Sequence, residues 1–268
     1  MRGNHSNTTP LALASQAAQH QHNCLLSHLP AEDLAILVPK LKLVAVEAGE
    51  VLTTPGMTIT HAYFPITAIM SMLHTLESGA SAEIAVIGND GLVGSSLLMG
   101  AEVASCWTVT ESAGMAYRIG AQQLKDAFYR SSSGHCSDAF QHLLLHYTQV
   151  LLTQMAQTAV CYRHHRVEQR LCRWLLMRLD RLPGNELLMT QEQIASLLGV
   201  RREGITEAAC HLQMAGVIDY HRGHISVLDR QGLEACACEC YEVVRQESNR
   251  LLGVTINSHA RAIQLPVA

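Results

Sequence analysis

Between Ser137 and Arg166 the chain reads SDAFQHLLLHYTQVLLTQMAQTAVCYRHHR, a long run with neither glycine nor proline. A run of this length and apolar content is expected to be one long α-helix. Within it Phe140, Leu144, Tyr147, Leu151 and Thr158, with Met155 beside them, recur at steps of three and four, the spacing of a coiled-coil seam. Leu143, Leu145, Val150 and Leu152 make the helix apolar over more than one stripe. A helix with two apolar faces needs two partners. One face is expected on the chain's own preceding domain and the other on a second copy of the chain, with Phe140, Leu144, Tyr147, Leu151 and Met155 assigned to dimerisation; the alternative is a helix buried wholly inside one monomer.

The segments on either side of this helix differ in kind. Residues 1–23 read as a polar, flexible tail, and Leu25 to about Leu43 as short helices broken at Pro30 and Pro39. From about Val44 to Ile119 short apolar runs alternate with glycine: VAVEAGEVL, AYFPITAIMSML, AEIAVIGNDGLVG and CWTVTESAGMAYRI. This pattern predicts an antiparallel sandwich or barrel, a β-roll of the cupin-like jelly-roll type, closed by the short helix AQQLKDAFYR.

After the long helix, VEQRLCRWLLMRLDRL predicts an amphipathic helix ended by Pro183 and Gly184. Arg163, Arg166, Arg170, Arg173, Arg178 and Arg181 cluster here, and a solvated basic face is the default reading of such a run. Thr190 then stands three residues before Gln193, the spacing of a capping box. Ile194, Leu197 and Leu198 form the apolar side of a short helix that Gly199 can end in the left-handed conformation. A second helix from about Arg201 buries Ile205, Ala208, Ala209 and Leu212. Two short helices joined through a glycine form a helix-turn-helix, whose second helix presents its N-terminal residues to base edges. GVIDYHRGHISVL adds two strands around Arg222 and Gly223, a wing that places Arg222 and His224 to meet phosphates. Candidate DNA-contacting residues are Gln191, Arg201, Arg202, Glu203, Thr206, Glu207 and Arg222.

The whole chain is acidic, with a net charge of −4 over 268 residues. That excludes indiscriminate binding to polyanions but not a local basic face, because a few arginines doubled in a dimer supply most of the non-specific affinity. Nine cysteines are an odd number in a chain large enough to fold without disulfides, so reduced thiols and a cytoplasmic location are expected. No apolar run reaches the length of a membrane span, and no membrane partner is expected.

Taken together, these segments resemble the Crp/Fnr family of bacterial transcription regulators over nearly the whole chain. The family's T…I…LG…RE pattern stands here as Thr190, Ile194, Leu198, Gly199, Arg202 and Glu203. The resemblance implies an α+β architecture of β-roll, dimerisation helix and winged helix-turn-helix. Its divisions fall at 1–23 for the tail, 24–134 for the sensor β-roll, 135–165 for the dimerisation helix, 166–232 for the DNA-binding domain and 233–268 for a C-terminal helix and tail. It implies double-stranded DNA, a second copy and RNA polymerase as partners, with an effector of unspecified chemistry. Arg202 would read guanine and Glu203 accept from cytosine. Two positions depart from well-known members: Glu207 replaces a base-reading arginine and Gly204 a hydroxyl. In the β-roll Gly91 and Gly94 keep the turn, but Ser95 and Ala104 stand where cyclic-nucleotide-binding members carry a glutamate and an arginine. No cyclic AMP binding and no cofactor are therefore expected. Cys24 alone does not make an iron–sulfur motif, and His61, His74 and Cys106 are scattered candidates for haem.

CACECY places Cys236, Cys238 and Cys240 in a C-terminal helix expected from about Gly232 to Leu252, with Cys236 and Cys240 on one face. Three thiols with no close fourth ligand fit structural zinc poorly; buried thiols are the default reading and redox or metal sensing the alternative. Two other functional classes remain: a protein-interaction module that has lost DNA binding, and a cupin-type metalloenzyme. The second lacks paired His and Glu ligands on neighbouring strands, so no enzyme is expected.

Overall fold

The computed structural model describes residues 23–130 and 138–253, so the tail expected over 1–23, apart from Asn23, and residues 254–268 lie outside the described residues. Asn23 is fully buried and belongs to the fold rather than to a tail. Its Nδ2 donates to the Pro65 and Gly91 carbonyls at 2.9 and 3.0 Å, while its Oδ1 caps helix α1 (Cys24–Ser27). Helix α2 (Ala31–Leu37) and a 3-10 turn (Val38–Lys40) follow, divided at Pro30 and Pro39 as the sequence indicates.

Seven strands then form two antiparallel sheets. They are β1 (Lys42–Val46), β2 (Val51–Thr53), β3 (His61–Pro65), β4 (Ile69–Thr75), β5 (Ser81–Ile87), β6 (Trp107–Ser112) and β7 (Gly114–Gly120). One sheet has the order β1-β7-β3 and the other β2-β6-β4-β5, the arrangement of a β-roll. Between them lie Val46, Leu52, Met70, Ile87, Val93 and Ala116, inward residues of alternating strands. Helix α3 (Ala121–Arg130) closes the roll.

Helix α4 (Asp138–His164) is the expected long helix. Its partners correct the seam assigned from the sequence. Phe140, Leu144, Tyr147 and Val150 pack into the β-roll core beside Phe64, Leu92 and Ile119; Leu151 is buried and Met155 half-buried. The Tyr147 hydroxyl donates to the Leu92 carbonyl at 3.1 Å, and Gln154 Nε2 donates to the Val86 carbonyl at the same distance. Phe140, Leu144 and Tyr147 of the seam therefore meet the chain's own β-roll. The face left open carries Leu145, Leu152 and Val160, which are 47%, 53% and 50% exposed. Several apolar stripes are visible in the sequence, and only the tertiary contacts decide which partner each one meets.

Helix α5 (Val167–Leu179) is not a solvated basic face either, because Arg170, Arg173, Arg178 and Arg181 are all buried. Arg178, with no exposed surface, lies 3.7 Å above the Trp174 ring and pairs with Glu83 of β5 and, at 2.6 Å, with Glu111 of β6. Ser71 Oγ lies 2.7 Å from both carboxylates. Burial raises the Glu83 carboxyl above the ordinary range even though Arg178 pulls it down. Arg181 grips Asp90 with two nitrogens, at 2.9 and 2.6 Å. Ile69 and Val86 of the β-roll share one apolar core with α5 and most of the buried apolar residues of the C-terminal half. The arginines thus fasten the β-roll to the C-terminal half.

That half consists of β8 (Glu186–Leu188), α6 (Gln191–Leu198), α7 (Arg202–Met214), β9 (Ile218–His221), β10 (His224–Val227), α8 (Arg230–Cys236) and α9 (Glu239–Leu252). The strands form an antiparallel sheet of order β8-β10-β9. The expected single C-terminal helix is two, broken where Ala237 and Cys238 take extended backbone. Helix α9 runs back along α4, from a Cys161–Cys238 contact at one end to His146 and Leu251 at the other.

Candidate nucleic-acid interface

Local signals build the helix pair. The Thr190 hydroxyl accepts from the Gln193 amide while Gln193 Oε1 accepts from the Thr190 amide, so two donors that the helix start leaves unpaired are satisfied. Gly199 ends α6 at φ 62°, and α7 begins three residues later, at Arg202. Ile194, Ala195 and Leu198 of α6 meet Ile205, Ala208, Ala209 and Leu212 of α7 in the shared core.

Burying that side leaves the other side of α7 to solvent. Arg201, the N-cap residue, and Arg202, Glu203, Thr206 and Glu207 are all exposed. Arg202 and Thr206, and Glu203 and Glu207, are four apart and share one face. Thr206 Oγ1 donates to Gln191 Oε1 at 2.7 Å and back to the Arg202 carbonyl at 3.1 Å. This contact carries the first residue of α6 onto the same surface. No pattern within the sequence shows the Gln191–Thr206 contact, since it depends on how the two helices cross.

The wing closes the surface on a third side. Arg222 and Gly223 both have positive φ, 50° and 86°, as a two-residue hairpin of the I′ type requires. Arg222 is the one non-glycine residue with positive φ among the described residues, and it is exposed at the wing tip. A Cβ at Gly223 would sit 3.6 Å from the Thr190 methyl, so the wing tip lies against the start of α6. Burial pushes the Tyr220 phenol up to about 12, while the nearby Arg202 charge pulls it down; its hydroxyl donates to the Met189 carbonyl at 2.7 Å. Arg202, Thr206, Gln191 and Arg222 are thus brought together, flanked by exposed His221 and His224.

The β-roll cavity beside Ser95 and Ala104 is far smaller than a ligand site. Beyond Gly94, at φ 93°, the 3-10 helix Ser95–Met99 turns Ser95 inward. Ser95, Ala104, Ile59, Met72, Thr53 and Thr108 line a cavity of about 60 Å³, against roughly 300–1,000 Å³ for ordinary ligand pockets. The Thr53 and Thr108 hydroxyls bond each other at 3.0 Å, which leaves no charged group among the lining residues to meet a phosphate.

Comparison with known proteins agrees with this geometry. Residues 43–131 match the cyclic nucleotide-binding domain model, and residues 169–236 match the Crp-like helix-turn-helix domain model. No curated protein matches the chain by sequence. Among solved structures, a putative transcriptional regulator of the Crp/Fnr family from Eubacterium rectale is similar, with a TM-score of 0.59 at 18% identity over 79% of this chain and 96% of that one. FixK2 from Bradyrhizobium japonicum gives 0.60 at 13% identity over 74% and 98%. A Crp/Fnr-family regulator from Thermus thermophilus gives 0.57 at 19% identity over 73% and 98%. At these identities the likeness establishes the fold. With the two matched domains in this order along one chain, the protein belongs to the Crp/Fnr family of transcription regulators.

Proposed function

We propose that the protein acts as a homodimer on a pseudo-palindromic DNA operator, without cyclic AMP. Residues 24–134 serve as the sensor β-roll, 135–165 as the dimerisation helix, 166–232 as the DNA reader and 233–268 as a C-terminal extension. The observation that carries this reading is the exposed start of α7, with Arg201, Arg202, Glu203, Thr206 and Glu207 on one solvent-facing surface beside the wing. A recognition helix enters the major groove by that end. Arg202 suits guanine and Glu203 the cytosine amino group, while Arg222 and Arg201 suit phosphates. Gln191 holds Thr206 in place, and Glu207 discriminates at the far end of the contact face. The open stripe of α4 supports self-association, and the small uncharged cavity at Ser95 and Ala104 supports independence from cyclic AMP. RNA polymerase is the expected downstream partner.

Selection of bound sequences from random duplex DNA tests the reading. A two-fold symmetric consensus, unchanged by added cyclic AMP, is expected; no enrichment would favour a protein-interaction module instead. On the selected site Arg202→Ala should lose about 1–3 kcal/mol and relax preference at one base pair. An equal loss on random DNA would reduce Arg202 to a phosphate contact. Arg222→Ala should weaken all sequences alike and lower the slope of log affinity against log salt by about one per subunit. An unchanged slope would remove the wing from the contact.

A further inference from the structure

We propose that Cys161, His165, Cys238 and Cys240 form a tetrahedral site for a thiophilic divalent cation, zinc(II) foremost, that clamps the end of the long helix α4 to the start of α9. The site is independent of the DNA-binding reading. It also corrects the expectation that the CACECY thiols lack a fourth ligand: the fold brings in two ligands from a segment some seventy residues earlier, and leaves Cys236 out.

The distances fit. The four ligand atoms all lie within 4.8 Å of one another. Cys161 Sγ and Cys238 Sγ are 3.5 Å apart, and Cys240 Sγ and His165 Nδ1 3.6 Å. Bonds of about 2.3 Å to sulfur and 2.0–2.1 Å to nitrogen at tetrahedral angles give separations of about 3.8 Å for two sulfurs and 3.6 Å for sulfur and nitrogen.

The local structure explains the convergence. Cys161 and His165 stand one helical turn apart where α4 ends. The extended backbone of Ala237 and Cys238 breaks the C-terminal helix, so that Cys238 is the N-cap of α9 and Cys240 lies in its first turn. The three thiols are almost wholly buried, at 0%, 4% and 1% exposed, and form a cluster of their own outside the main cores.

Two further observations point to a bound cation. His165 turns Nδ1 to Cys240 and Nε2 to the Glu239 carboxylate at 3.3 Å, the carboxylate–histidine arrangement that orients an imidazole ligand. Arg173 is buried, donates to Thr158 Oγ1 at 2.9 Å, and has no carboxylate partner among the described residues. Its charge acts on Cys161 and Cys240 instead. Three thiolates and one dication carry a net single negative charge, which Arg173 complements; three neutral thiols would leave a buried cation uncompensated. Loading the site releases the thiol protons to solvent.

The test uses the full chain purified under reductant and without chelator. One zinc per chain is expected by elemental analysis, and cobalt(II) in its place should give the visible bands of tetrahedral coordination with thiolate charge transfer. Cys240→Ser and Cys161→Ser should lose the metal, while Cys236→Ser keeps it. Because a buried ligand variant can fail to fold, Glu239→Gln is the second test: that side chain is 76% exposed. It should hold the metal about 10–100-fold less tightly in competition with a chelator. Metal-free protein after metal-replete preparation, a Cys161–Cys238 disulfide under reductant, or full loading of Cys240→Ser would overturn the site. Unchanged affinity in Glu239→Gln would overturn His165 as the nitrogen ligand.

Discussion

Arg178→Met should lose about 3–5 kcal/mol of unfolding free energy, read from the midpoint of urea denaturation. Arg178 is fully buried and faces two carboxylates, Glu83 and Glu111, whose side chains are 8% and 3% exposed. Removing the guanidinium strands both of them away from water. The size of the loss should come chiefly from those carboxylates, so combining Arg178→Met with Glu83→Gln and Glu111→Leu is expected to recover most of it. A loss below about 1 kcal/mol would mean that water reaches the trio and screens it as at a surface. If the loss is large but the combined variant recovers nothing, packing of the side chain on Trp174, rather than charge, supplies the stability.

In the proposed homodimer, Leu152→Arg should separate the two copies into monomers, and affinity for the proposed operator should fall on the order of 10²–10⁴-fold. Leu152 lies on the open stripe of α4 and is 53% exposed, so the folded monomer has room for the new side chain. Two copies would bring the arginines of each chain face to face at the centre of an apolar seam. Each half-site then has to be bound without the second half raising its effective concentration. Sedimentation velocity reads the association and fluorescence anisotropy the operator affinity. A dimer that survives the substitution would place self-association on another surface.

The features legible in the sequence are those written in short-range chemistry. Thr190, Gln193 and Gly199 define the helix-turn-helix within ten residues, and Arg222–Gly223 defines the wing turn, because caps and turns depend on neighbours along the chain. The glycine-punctuated runs likewise announce the β-roll. What stayed hidden depends on partners far away. Arg178 looks like any surface arginine until Glu83 and Glu111 are placed beside it, ninety-five and sixty-seven residues earlier. Phe140, Leu144 and Tyr147 satisfy a coiled-coil pattern equally well when packed into the β-roll core. Cys161 and His165 carried a readable i, i+4 signal, but CACECY lies too far away for the two halves to be joined by spacing alone. Its apparent helical phase failed because Ala237 and Cys238 leave the helix.

The return of α9 along α4 makes the β-roll dependent on the last helix among the described residues for its completion. Leu252 is buried in the same core as Leu25, Leu26 and Leu124. At roughly 5–20 residues per second, ribosomal synthesis separates Leu25 from Leu252 by roughly 10–45 s. Throughout that interval the β-roll core lacks Leu252 and keeps an open apolar edge. A chain truncated ahead of α9 therefore leaves an unfinished β-roll core as well as an unfinished C-terminal half.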